Sequence, residues 1–143
     1  MIRKDFVKRK ISLIQDDLSN LTKFSDLSFD DITKDSIKQA AVERFLERII
    51  NRAIDINQHL IGELVTKDTS SPKDYKETFS TLSDLKVYPR EFSKEISKSI
   101  GARNKLAHEY DNVDYSVIYQ SIADCLRDYH KYCDYILDFL ESN

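Results

Sequence analysis

Only two glycines and two prolines occur in 143 residues, too few for the many tight turns of an all-β sandwich or barrel. No apolar run approaches the roughly 18 residues that suggest a membrane span. The stretch Met1 to Lys10 is charged throughout and holds no signal-peptide core, so the chain is expected to be cytoplasmic, with no membrane partner. Cysteine is scarce as well. Cys125 and Cys133 stand eight positions apart in a helical pattern, too far along one axis for a disulfide and outside any CxxC pair, and are read as buried reduced thiols. A strong excess of one charge is also missing: the net charge of −3 gives no global signal for nucleic acid. Its distribution is uneven, with residues 1–24 at +3, 84–110 at +2 and 111–143 at −5. A polyanion would therefore be met by a local surface built from the first helix and the 84–110 segment.

What is present suits amphipathic helices. Charged residues make up 33% and apolar ones 41%, enough Ile, Leu, Val, Phe and Tyr to argue against disorder. The length is that of one domain, expected to span 1–143. Ile2, Phe6, Leu13, Leu21 and Phe24, with Val7, Ile14 and Leu18 beside them, predict a first helix over 2–24. Ser25 to Asp31 follows as a connection with N-cap candidates in Asp30 and Asp31. The longest pattern runs Ile37, Ala41, Phe45, Ile49, Ala53, Ile56, Leu60, Leu64, widened by Val42, Leu46 and Ile50, and a break is expected near Asp35. Lys67 to Asp74 reads as a loop, followed by a short helix over 75–83 and a turn up to Pro89. Pro89 suits the first position of a helix that turns Phe92, Ile96, Ile100 and Leu106 inward. A last helix from after Asp114 to Glu141 lines up Ile118, Ile122, Leu126, Tyr129, Cys133, Ile136 and Leu140. The expectation is an all-α antiparallel bundle of four to five helices.

One octapeptide carries chemistry: Arg103-Asn104-Lys105-Leu106-Ala107-His108-Glu109-Tyr110, just before the Asp111-Asn112 turn signal. In a continuous helix Arg103 and His108 would lie about 140° and 7.5 Å apart, off a common face, so the helix is expected to end near His108. There the negative end of the helix dipole favours imidazolium while Arg103 opposes it, which gives a histidine titrating near neutrality and able to exchange a proton.

The pattern of Arg103, four residues, His108, one residue and Tyr110 resembles the signature of the HEPN superfamily. The surrounding helices are similar to its HepT branch, the toxin half of HepT/MntA toxin–antitoxin pairs. The stretch Ala40-Ala41-Val42-Glu43-Arg44-Phe45-Leu46-Glu47-Arg48 through Asp55, Asn57 and His59 extends the resemblance over nearly the whole chain. It implies a HEPN-like homodimer and a metal-independent endoribonuclease without a cofactor, acting on RNA, a tRNA or an mRNA. Carried over by position, Arg103 binds the scissile phosphate, His108 is the general acid or base, and Asn104 adds a polar contact. RNA supplies its own nucleophile in the 2′-hydroxyl, so a base and a fixed guanidinium suffice. Two-fold symmetry would bring two copies of the motif into one cleft. The resemblance further implies that Tyr110 is adenylylated by a cognate MntA-like nucleotidyltransferase antitoxin, which fills the cationic pocket and silences the toxin.

Simpler readings stand beside these. Arg103 and His108 make sense as an arginine reaching an acidic neighbour and a histidine satisfying a helix end. Six of the eight tyrosines lie between 110 and 135, which suits aromatic packing for Tyr110. Glu47, Asn51, Asp55, His59 and Glu63 recur every four positions; such a stripe is ordinarily a solvated face, and its functional alternative has Asp55 and His59 lining the cleft opposite the motif. A di-iron site needs Glu-x-x-His pairs on two helices, and none occurs. The basic cluster Arg3, Lys4, Lys8, Arg9 and Lys10 reads as a solubilising helix face, with an RNA track as its rival. A non-catalytic nucleotide-binding or docking module and a plain scaffold bundle are the competing functions.

Overall fold

The computed structural model describes residues 1–108 and 115–143, with side chains described for 1–105 and 116–143. Seven helices lie among these residues and no strand: α1 (Lys4–Thr22), α2 (Phe29–Thr33), α3 (Ser36–Leu64), α4 (Tyr75–Asp84), α5 (Arg90–Ile96), α6 (Ser99–His108) and α7 (Tyr115–Glu141). The all-α bundle is as expected. The count rises because a five-residue helix occupies the first connection and the fourth pattern divides into α5 and α6.

Local chemistry places the boundaries. Ser28 opens α2 with a reciprocal capping box, its hydroxyl accepting from the Asp31 amide and the Asp31 carboxylate from the Ser28 amide. Asp35 caps α3, its carboxylate accepting from the amides of Ile37 and Lys38. Pro89 stands one residue earlier than expected, as the N-cap of α5 rather than its first helical residue. The α4 end is closed by a left-handed residue, Lys86 at φ 67°, with Val87 N–H donating to the Leu82 carbonyl and Lys86 N–H to that of Ser83. A lysine takes the place glycine ordinarily has in this motif, at some conformational cost.

The core gathers Val7, Ile11, Ile14, Leu18 and Leu21 of α1, the inner face of α3, and Ile118, Ile122, Tyr129, Tyr132, Cys133, Ile136 and Leu140 of α7. Leu126 is only half-buried and Cys125 takes a buried position instead. Both cysteines are free and buried; desolvation holds the Cys125 thiol far above its usual range and pushes that of Cys133 up to about 12. Ile37 departs from the apolar pattern and is 79% exposed. Each four-residue step advances about 40° around a helix, so three steps back from Ile49 the pattern has left the buried face.

A buried polar chain ties three helices together. The Tyr132 hydroxyl donates to Asn57 Oδ1 at 2.6 Å, Asn57 Nδ2 donates to Thr78 Oγ1 at 3.0 Å, and Thr78 Oγ1 donates to the Tyr75 carbonyl at 2.6 Å. Burial raises the Tyr132 hydroxyl well above the usual tyrosine range, so it remains a donor at any ordinary pH. Tyr132→Phe leaves the Asn57 carbonyl oxygen buried without this donor, and the expected loss is about 1–3 kcal/mol, read as a lower urea midpoint at unchanged slope. An unchanged midpoint would show that the chain does not brace the fold.

Candidate functional site

Helix α6 is fixed at its start. Ile100 is buried, and the Ser99 hydroxyl bonds both the Ile96 carbonyl (2.7 Å) and the hydroxyl of buried Tyr129 (2.7 Å). One turn later comes Arg103, half-buried between α3 and α4. Its Nε donates to Asn51 Oδ1 at 3.1 Å, its Nη1 to Asn104 Oδ1 at 3.3 Å, and its guanidinium carbon lies 5.3 Å from the centre of the Tyr75 ring. Tyr75 is the first residue of α4, which Asp74 caps by accepting the Glu77 amide at 2.8 Å.

These anchors are neutral. Among the described residues no carboxylate pairs with Arg103, whereas Arg48 and Arg52 both reach buried Asp17 (3.2 and 2.6 Å), and Arg127 meets Glu95, Asp124 and Asp128. Amide and ring orient the Arg103 cation without neutralising it. An oriented, half-buried guanidinium that pairs with no described carboxylate has the chemistry to receive an oxyanion such as a phosphate group.

A family model described as "Ribonuclease HepT-like" matches residues 14–136. The chain belongs to this HepT-like ribonuclease family. A "tRNA nuclease HepT" from Aphanizomenon flos-aquae is 34% identical over 136 residues, covering 94% of this chain and 89% of that protein. An "mRNA nuclease HepT" from Shewanella oneidensis is 22% identical over 103 residues, 72% of this chain and 75% of its own length. In fold, a tri-AMPylated HEPN toxin from Shewanella oneidensis, solved in complex with MNT antitoxin, superposes with a TM-score of 0.80 at 20% identity, covering 94% of this chain and 98% of its own.

Within this HepT-like chain the other expected site residues are placed as follows. Asn104 is exposed and engaged with Arg103. The backbone of α6 reaches His108, so positions 103 and 108 are about 140° apart around its axis. The His108 side chain, Tyr110 and the Leu106 side chain lie outside the described residues. Asp55 and His59 are not brought to Arg103. Asp55 pairs with Lys10 of α1 at 2.9 Å, and His59 Nε2 accepts the Arg3 amide at 3.0 Å with its ring 5.3 Å from that of Phe6. Glu63 meets the Met1 amino group, a hydrogen bond that lowers its carboxyl below the usual range. The polar stripe of α3 is thus largely docked on neighbouring helices: Asn51 turns to α6, and Asp55 and His59 turn to α1. Arg3 and Lys10 of the basic cluster are drawn into that contact, both over the Phe6 ring.

Asn51 and Tyr75 are the residues that sequence reasoning passed over as parts of the site. Asn51 was visible as a stripe member on the same helix as Asp55. Tyr75 carried no signal, because only the fold brings the start of α4 against α6.

Proposed function

We propose that this chain is an endoribonuclease and the toxin half of a toxin–antitoxin pair, working in the cytoplasm as a homodimer. The observation that carries the reading is Arg103, an arginine oriented by neutral groups in a chain of the HepT-like ribonuclease family. RNA is the substrate class, in line with relatives named as tRNA and mRNA nucleases. The 2′-hydroxyl attacks the adjacent phosphorus and loses its proton to a base, and the 5′-oxygen departs with a proton from an acid. Arg103 holds the phosphate and offsets the negative charge that grows on its oxygens. His108 moves the proton, and two subunits facing one cleft supply an acid and a base from the same short motif. Asn104 contributes a polar contact to the substrate beside Arg103. Asp55 and His59, engaged with α1, are assigned no step.

The proposed antitoxin is an MntA-like nucleotidyltransferase that joins the Tyr110 oxygen to the α-phosphate of ATP and releases pyrophosphate. The fold shared with an AMPylated HEPN toxin bound to MNT antitoxin supports this partner. Added negative charge and an adenosine beside Arg103 would compete with RNA for the cation.

Purified protein incubated with an RNA pool in EDTA is expected to yield discrete fragments. Prior treatment with the cognate transferase and ATP should abolish them and add AMP mass to the wild type but not to Tyr110→Phe. RNA binding without fragments would favour a non-catalytic docking module, and AMP mass on Tyr110→Phe would reject the tyrosine as the acceptor.

A further inference from the structure

Tyr75 has a second neighbour besides Arg103. It lines an open cleft of about 340 Å³ between the last turns of α3 and the start of α4, which it shares with Gln58, Ile61, Gly62, Pro72 and Lys73. The size falls within the roughly 300–1,000 Å³ of small-ligand clefts. We propose that this cleft is a subsite for one unpaired base of the RNA, adjacent to the phosphate held by Arg103. The proposal rests on the ribonuclease reading and names a residue-level determinant of where the RNA lies.

The chemistry of the lining suits a flat, uncharged heterocycle. Ile61 is buried and Pro72 half-buried, which gives apolar lining, while Tyr75 is exposed, 42% as a residue, and brings an aromatic ring to the cleft. Single-stranded RNA is commonly held by such base–aromatic stacking. Gln58 is exposed at the edge, with an amide that both donates and accepts and so matches any base edge. The Thr78 hydroxyl, also in the wall, has its one hydrogen committed to the Tyr75 carbonyl and accepts from Asn57, so it has no donor to offer a base. The Asp74 carboxylate disfavours a phosphate inside the cleft, and Lys73 supplies a cation at its rim. One side chain, the Tyr75 ring, therefore separates a place for phosphate from a place for a base, with 5.3 Å between the guanidinium carbon and the ring centre. The buried chain through Asn57 and Thr78 holds the Tyr75 backbone, so the ring starts from a fixed point.

Gly62 provides the test. A Cβ added there meets nothing within 4 Å, and leucine is the better helix former, so Gly62→Leu obstructs the cleft without weakening α3 or touching Arg103. A short RNA that the wild type cuts is compared with versions carrying one abasic nucleotide at each position around the cut, and with an uncleavable 2′-O-methyl version read by fluorescence anisotropy. For the wild type, one abasic position beside the cut should raise KM about tenfold at unchanged kcat, in the range that stacking on one aromatic residue gives. Gly62→Leu should raise KM for intact RNA by a similar factor and lose its response to that abasic position; Gln58→Ala should do so to a smaller degree. Cleavage by Gly62→Leu with wild-type KM and undiminished abasic sensitivity would overturn the subsite and leave the ribonuclease reading standing. If the wild type cuts nothing, that reading falls on its own. The anisotropy comparison then decides the subsite: weaker binding by Gly62→Leu supports it, and equal binding or none by either protein overturns it.

Discussion

Replacing Arg103 with alanine is expected to lower kcat for RNA cleavage by about 10²–10³-fold, the loss seen when one oriented donor to a developing oxyanion is removed. The size follows from how the side chain is held. Nε is bound to the Asn51 amide, Nη1 contacts Asn104, and the guanidinium lies against the Tyr75 ring, so it is in place before the transition state forms. Lysine at this position keeps the charge but has no Nε–H to give Asn51 and no planar fork, and is expected to recover only a small part of the rate. Asn51→Ala frees one anchor and should produce a milder defect. His108→Ala should cost about 10²–10⁴-fold, the usual contribution of a general acid–base group. Because the two residues act as a unit, the double variant should be little worse than the weaker single one. Single-turnover cleavage of one defined RNA compares all five variants with the wild type. Wild-type rates for Arg103→Ala would end the assignment.

The second large effect is on stability. Asp17 of α1 has a side chain only 3% exposed and receives Arg52 at 2.6 Å and Arg48 at 3.2 Å from α3. Arg52 also donates to the Leu13 carbonyl. Asp17→Ala leaves two guanidinium groups facing a buried site without their counter-charge, and breaking such a pair ordinarily costs about 3–5 kcal/mol. The Arg48 side chain is 37% exposed and can turn to water, so the lower end is expected, a thermal midpoint lower by roughly 10 °C. Replacing Asp17, Arg48 and Arg52 together with apolar residues should restore most of the loss. If Asp17→Ala melts with the wild type, the pair does not hold α1 to α3.

Where the determinants are local, the sequence is a good guide. The break at Asp35, the loop after α3 and the start of α4 depend on a capping carboxylate, a run of Thr, Ser and Pro, and a capping Asp74, all readable within a few residues. The division of α5 from α6 is not of this kind. Ser97 and Lys98 carry no Gly or Pro; at the joint the Ser97 and Ser99 hydroxyls bond the Lys94 and Ile96 carbonyls, and Ser99 also meets Tyr129, thirty positions away. Arg103 was legible as a cation in a short motif. Its setting was not, since Asn51 and Tyr75 meet it only through packing of α3, α4 and α6. The polar stripe shows the same limit: spacing placed Asn51, Asp55 and His59 on one drifting face, but only the fold decides that the first meets an arginine while the others meet α1.

The partners of Arg103 come from far back in the chain, Asn51 being 52 positions upstream. Neither Asn51 nor Tyr75 is near Arg103 along the chain, so the guanidinium gains these two anchors only where α3, α4 and α6 pack together. The fixed orientation of this cation is therefore a property of the packed molecule, and loosening any one of the three helices would return it to an ordinary mobile side chain.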